Sequence, residues 1–145
     1  MNALGAGQTY MLSERYDKAV KLIRRALDEE ELSVVGEFDT TRTFRAEPGK
    51  KSEQSRILLV DCPLLVFEAQ ALDPAAGVFF PLHVLVRADG DRTQVSTLSS
   101  GGFFDVRLPS GAAGPIERLQ ARVSSALESV LFRADPNHRK ERGEE

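Results

Sequence analysis

The sequence predicts an α+β domain in which helices cover one face of a mostly antiparallel sheet. Two segments, near the start and near the end of the chain, repeat apolar residues at helical spacing. The residues between them read mainly as strands, and the turn residues Ala88 to Asp91 favour a hairpin. Strands grouped between helices are typical of an α+β layer. We therefore expect two main helices, and a short helix after Pro63, on one sheet face.

The first half of the chain supplies the first predicted helix and strands. Gln8 to Leu12 is predicted as a short strand, and Ser13 as the N-cap of a helix from Glu14 to about Glu30. The apolar stripe of that helix comprises Tyr16, Ala19, Val20, Ile23 and Leu27. Leu32 to Phe38 is predicted as a strand that Thr40 to Phe44 extends or pairs with, and Glu47 to Glu53 as a polar loop.

The second half begins with the apolar run Ile57 to Val60, which predicts a central strand. Pro63 suits the first position of a helix that Asp73-Pro74 would end at Leu72. The remaining predicted elements are a hairpin of Phe79 to Val86 with Thr93 to Leu98, a long glycine-rich loop from Ser99 to Gly114, and a helix opening at Pro115. One face of the first hairpin arm is mixed, so we expect it to meet solvent, a ligand or another subunit.

Length and composition indicate one globular domain. The chain has 145 residues, 41% hydrophobic and 28% charged, and a net charge of −3. We predict a single domain over residues 1–132 and a polar, disordered tail over residues 133–145. Interleaved acids and bases argue against a nucleic-acid partner. We expect neither a signal peptide nor a membrane span, and therefore a cytoplasmic location.

Known catalytic and cofactor motifs are absent from the sequence. There is no phosphate-binding glycine loop, no G-x-S-x-G and no spaced set of metal ligands. We therefore predict no cofactor and no metal site, and whether the chain is an enzyme stays open.

Cys62 and His83 are the candidate site residues. Cys62 is the sole cysteine and stands where a strand is predicted to run into a helix, whose N-terminal N–H groups favour a thiolate. The adjacent Asp61 opposes that charge. A free cysteine is also a common core residue. His83 on the mixed strand face could act as a base for Cys62 if the two side chains meet.

Two aromatic residues in the glycine-rich loop form a further candidate. Phe103 and Phe104 follow Gly101-Gly102 and could close over an apolar ligand or dock on a partner. Phe79 and Phe80 are better explained as packing in the core or the sheet.

The chain resembles the domain-of-unknown-function family DUF302 from about Tyr16 to Val95. The resemblance includes the first helix, Glu37-Phe38-Asp39, Ile57-Leu58-Leu59, the junction at Pro63, and the segment Val78 to Val86. It implies a fold similar to the TATA-binding-protein arrangement and a tendency to form dimers. Many members carry Gly-Ala-Cys-Asn-Pro and Leu-Pro-Cys-Asn motifs. Aligned on Pro63 and Pro81, the cysteine positions hold Asp61 and Leu82, and the asparagine positions hold Cys62 and His83.

These observations lead to three hypotheses. The first is a cytoplasmic, homodimeric module that binds a small, partly apolar molecule in a pocket near Cys62 and His83, with Phe103 and Phe104 as further contacts. The second is a thiol-dependent enzyme or sulfur carrier that uses Cys62, with His83 as base. The third is a structural domain whose exposed sheet face serves only to dimerise.

Overall fold

The structure is a computed structural model that describes residues 7–41, 53–98, 111 and 113–134. Its five strands are β1 (Gly7–Leu12), β2 (Ser33–Asp39), β3 (Ser55–Asp61), β4 (Leu82–Asp89) and β5 (Arg92–Leu98). Its three α-helices are α1 (Tyr16–Glu29), α2 (Pro63–Leu72) and α3 (Ala113–Ala134), and a short 3-10 helix spans Pro74–Phe79. The predicted α+β class is confirmed.

The five strands form one antiparallel sheet in the order β1-β5-β4-β3-β2. Alternate side chains of each strand point to opposite faces. On one face, Leu58, Val60, Val84, Val86 and Val95 are buried against the apolar stripes of α1 and α3. The core of the domain therefore lies between this face and the helices.

The opposite sheet face carries none of the helices that the structure describes. Three cross-strand rows of side chains cross it: Gly36, Leu59, His83, Leu98 and Gly7; Phe38, Ile57, Leu85, Ser96 and Thr9; and Ser55, Arg87, Gln94 and Met11. We call this set the helix-free face. Apart from Ser55, its side chains are half-buried or exposed. Thr9 and Ser96 face each other across β1 and β5 with their hydroxyl oxygens 3.0 Å apart.

The predicted start of the first helix is wrong by two residues. Arg15, not Ser13, is the N-cap, and its side chain makes no capping hydrogen bond. The hydroxyl of Thr93 donates to the backbone carbonyl of Glu14 at 2.7 Å. That hydrogen bond ties Glu14 to β5, and the helix begins only after it.

Strand β4 begins three residues later than predicted because a 3-10 helix precedes it. Asp73 caps that helix by accepting the N–H of Ala75 at 3.0 Å, and Pro74 follows the cap. Phe79 therefore belongs to the helix and not to the strand. Pro81, whose preceding peptide bond is cis, has no N–H for the sheet ladder, so pairing starts at Leu82.

Gly36 marks a bulge in the edge strand β2. Val34 pairs with Val60 and Gly36 with Leu59, so Val35 is the extra residue. The backbone of Thr40 continues toward β3 by donating its N–H to the carbonyl of Ser55 at 3.0 Å. Residues 42–52, most of the predicted 99–114 loop and residues 135–145 lie outside the described residues. Helix α3 itself extends to Ala134, beyond the predicted boundary at residue 132.

Candidate functional site

Cys62 lies at the junction that the sequence predicts, as the N-cap residue of α2, with Pro63 at the first helical position. Its thiol belongs to the hydrophobic core, and the residue is only 5% exposed. The alternation of β3 explains this burial, because Cys62 follows Leu58 and Val60 on the face that packs against the helices. Cys62 is therefore a buried core residue, the alternative to a reactive thiol that the sequence left open.

Two charged side chains lie next to Cys62. The guanidinium of Arg122, from α3, donates to the sulfur at 3.6 Å. Asp61 accepts the backbone N–H of Cys62 at 2.8 Å. Burial raises the pKa of the Asp61 carboxyl, and this hydrogen bond to its charged form partly lowers it again. Asp61 thus occupies the backbone N–H of Cys62 at the N-terminus of α2.

His83 lies on the helix-free face, exposed, as the second residue of β4. Its cross-strand neighbours are Leu59 on β3 and, by the same register, Leu98 on β5. Both leucines are half-buried. A polar imidazole therefore stands on an apolar surface that water also reaches.

The structure does not bring Cys62 and His83 together. Cys62 packs among the core residues, whereas His83 pairs with Leu59, whose side chain points away from the core. The two side chains thus lie on opposite sides of the sheet, and a nucleophile–base pair has no geometric basis. A single pocket that both side chains line is equally without support. The predicted contacts Phe103 and Phe104 lie outside the described residues and stay a prediction.

An apolar strip crosses the centre of the helix-free face. Phe38, Ile57 and Leu85 follow one another across β2, β3 and β4. Phe38 is 60% exposed, and the other two side chains are half-buried. Because a strand advances about 3.3 Å per residue, His83 and Arg87 stand roughly 7 Å to either side of Leu85 on the same strand and face.

Arg87 is a further residue of this site, and it was not among the predicted site residues. The alternation His83, Leu85, Arg87 places all three on one side of β4, and this signal is visible in the sequence. Asp61 is a diagonal neighbour of His83 across β3 and β4. The guanidinium of Arg87, the imidazole of His83 and the carboxyl group of Asp61 thus lie around an apolar centre.

The described part of the chain contains neither a group of metal-ligating side chains nor a membrane-spanning helix. No group of three or more His, Cys, Asp or Glu side chains is placed to hold a metal ion there. Within the same residues, no helix is both long and apolar enough to cross a bilayer.

A half-buried charged cluster lies at the other end of β3, on the helix side of the sheet. Arg56 donates from Nε to the hydroxyl of Tyr16 at 2.7 Å and contacts Glu37, which also pairs with Arg24 at 2.6 Å. Each of the three charged groups, Arg24, Glu37 and Arg56, has a partner of opposite charge. We therefore assign it to the packing of α1 on β2 and β3.

Comparison with known proteins agrees with this architecture. The sequence matches the family model described as domain of unknown function DUF302 over residues 8–130. No curated protein matches the sequence. The fold is similar to the crystal structure of an uncharacterized conserved protein DUF302 from Bacillus stearothermophilus, with a TM-score of 0.71 and 16% sequence identity, over 90% of this chain and 98% of that one. At that identity the similarity concerns the fold, whereas the family match covers most of the sequence. This chain therefore belongs to the DUF302 family.

Proposed function

We propose that this chain is a cytoplasmic, homodimeric module that binds a small, partly apolar molecule carrying an acidic group. The observation that carries the proposal is the apolar strip of Phe38, Ile57 and Leu85 on a sheet face that no described helix covers. Ligand sites are mostly apolar, with a few polar groups that fix orientation. Here Arg87 and His83 supply those polar groups.

The geometry supports a defined pose for such a ligand. Its apolar part would lie along Ile57 and Leu85, and its acidic group would meet the guanidinium of Arg87, which pairs well with carboxylates and sulfonates. His83 would contact the opposite end of the ligand. The site therefore differs from the sequence prediction, because it keeps His83 and leaves Cys62 on the other side of the sheet.

A fluorescent probe with this chemistry tests the proposal. Anilinonaphthalene sulfonate combines an aromatic body with a sulfonate, and we expect saturable binding of one probe per subunit. Leu85→Asp should abolish binding by placing a charge in the apolar strip, and Arg87→Ala should weaken it about tenfold through loss of the charged partner. Val35→Asp is the matched control, since Val35 is an exposed apolar residue at the β2 bulge, outside the three rows.

The outcomes separate the three hypotheses. Unchanged probe binding in both Leu85→Asp and Arg87→Ala would refute the proposed site. Conversion of a dimer to monomers by Leu85→Asp would instead identify the helix-free face as a dimerisation surface. Native mass spectrometry of freshly purified protein should show the subunit count and any retained small molecule in the same spectrum.

The thiol-dependent alternative has one favourable observation, the Arg122 contact with the Cys62 sulfur. Burial of the thiol and the position of His83 on the other sheet face oppose it. We expect iodoacetamide to alkylate native Cys62 more slowly than free cysteine, because the reagent must reach a core residue. Faster alkylation than free cysteine would favour the enzyme hypothesis.

A further inference from the structure

Arg87 stands at one end of the apolar strip without an ion-pair partner among the described residues. The other side chains in its cross-strand row are Ser55, Gln94 and Met11, and none of them is acidic. Asp89 lies farther along the same side of β4, away from the strip, and no ion pair joins it to Arg87. The exposed guanidinium is therefore available to an acidic group of a ligand on the strip.

A group of polar side chains lies beyond the opposite end of the strip. Ser33 faces Asp61 directly across β2 and β3, and Asp61 is a diagonal neighbour of His83. Side chains alternate along each strand, so these three lie on the side of the sheet opposite to the core residues Val60 and Leu82. We call Ser33, Asp61 and His83 the polar corner.

The polar corner has the chemistry to hold an amine. An ammonium group donates three hydrogen bonds, and a hydroxyl, a carboxylate and a neutral imidazole each supply an acceptor. Asp61 accepts the N–H of Cys62 through one carboxylate oxygen, and its second oxygen can accept from a ligand. An acidic ligand group would instead be repelled by the charge of Asp61. Charge complementarity therefore favours a positively charged group at this end.

The length of β3 sets the distance between the two ends. Arg87 pairs with Ser55 at the start of β3, and Asp61 is the last residue of that strand. At about 3.3 Å per residue, the cross-strand rows of Arg87 and Asp61 lie roughly 20 Å apart. Ile57 and Leu85 form a half-buried apolar surface between them. A ligand that contacts both ends is thus elongated and apolar in its middle.

We propose that the ligand of the helix-free face is an elongated zwitterion, with an acidic group at one end, an amine at the other and an apolar body between them. Its acidic group pairs with Arg87, its body lies on Ile57 and Leu85, and its amine is held by the polar corner. This inference rests on the proposed function and specifies the second charged group of that ligand.

Two probes that differ by one amine test the assignment. Undecanoate and ω-aminoundecanoate share the carboxylate and the apolar chain, and each can compete with anilinonaphthalene sulfonate. We expect the amino compound to bind about fivefold more tightly, because Asp61 gains a charged donor at a half-buried site. A surface with only the apolar strip and Arg87 would prefer undecanoate, whose free end is apolar. Equal binding, or a preference for undecanoate, would overturn the proposal.

A matched pair of variants locates the amine. Asp61→Asn removes the charge of the polar corner but keeps a carbonyl for the N–H of Cys62, so the preference for ω-aminoundecanoate should disappear while undecanoate binds no more weakly. Asp89→Asn, the same change at the exposed acid on the other side of Arg87, should retain the preference. Circular dichroism should show that both variants are folded. A preference that survives Asp61→Asn would place the amine elsewhere and reject the polar corner.

Failure of this inference is distinguishable from failure of the proposed function. Anilinonaphthalene sulfonate that binds wild type and is lost in Leu85→Asp, together with no preference for the amine, would retain the ligand site and reject the zwitterion. Absence of binding by all three probes would reject both.

Discussion

At the scale of single residues, Cys62 and His83 show why sequence neighbourhood does not specify a shared site. In the alignment on Pro63 and Pro81, each directly follows a position at which many family members carry a cysteine. Side chains alternate between the two sheet faces along β3, so Cys62 lies on the same face as the core residues Leu58 and Val60. Placing His83 on the opposite side requires the β3–β4 register, in which it pairs with Leu59. That register depends on tertiary pairing, and the sequence alone left it open.

Asp61 is the residue whose ionisation should couple to stability. Burial raises the pKa of its carboxyl in the folded state, so the folded protein holds the proton more tightly than the unfolded chain. As pH rises through that pKa, the folded state loses stability relative to the unfolded state. Asp61→Asn keeps a carbonyl that can accept the N–H of Cys62 and removes the charge.

We therefore expect Asp61→Asn to change the thermal midpoint in a pH-dependent way. The midpoint of the variant minus that of wild type should be more positive at pH 7 than at pH 3. The side chain is only half-buried, so solvent limits the effect to less than about 1 kcal/mol. Thermal melts of both proteins in matched buffers provide the measurement. A difference that is constant with pH, or larger at pH 3, would contradict the assignment.

At the scale of elements, patterns of side-chain type predicted the helices and strands better than their ends. The stripes of α1 and α3, the interior strand β3 and the β4–β5 hairpin could all be identified from periodicity and turn residues, although β4 and not β3 is the central strand. The ends depended on specific contacts, such as the Thr93 hydrogen bond that precedes α1 and the Asp73 cap of the 3-10 helix. Such contacts join residues whose proximity the sequence does not reveal.

Two glycines, one in a turn and one in a helix, have no neighbours distant in sequence that an added Cβ would meet, so they allow the backbone contributions to stability to be compared. Gly90 in the hairpin turn has φ +63°, and Gly114 lies in the first turn of α3, and a Cβ at either position would meet no atom within 4 Å. Gly90→Ala should destabilise the fold by about 1 kcal/mol, because an L-residue resists the left-handed region. Gly114→Ala should change stability less than Gly90→Ala does, because the helix preference of alanine is opposed by the ring of Pro115, which crowds the Cβ of a helical residue before it.

Chemical denaturation of the two alanine variants provides the comparison. Because the substitution is the same, it restricts the unfolded chain similarly in both variants, and the difference between the two stability changes reports mainly the native backbone. Equal shifts in the same direction would show that the turn at Gly90 relaxes on substitution.

At the scale of the whole molecule, the layer architecture was predictable and the functional surfaces were not. The sequence order, with most strands between two amphipathic helices, predicted an antiparallel sheet with helices on one face and none on the other. The helix-free face followed from that reasoning, including the mixed residues of β4. The exposure of Leu64 and Phe67 on α2 did not follow from it, because the short helix after Pro63 was expected to pack on the sheet, and only the structure shows which side of it is exposed.

The place of β1 at the sheet edge has a consequence for the order in which the domain assembles. Its partner β5 is distant in sequence, since Gly7 pairs with Leu98, whereas β4 and β5 join through a tight turn. Closing a long loop costs more chain entropy than closing a hairpin, so β1 should dock last. In pulsed hydrogen exchange during refolding, amides of β4 and β5 should gain protection before those of β1. Protection of β1 at the same time or earlier would exclude this order.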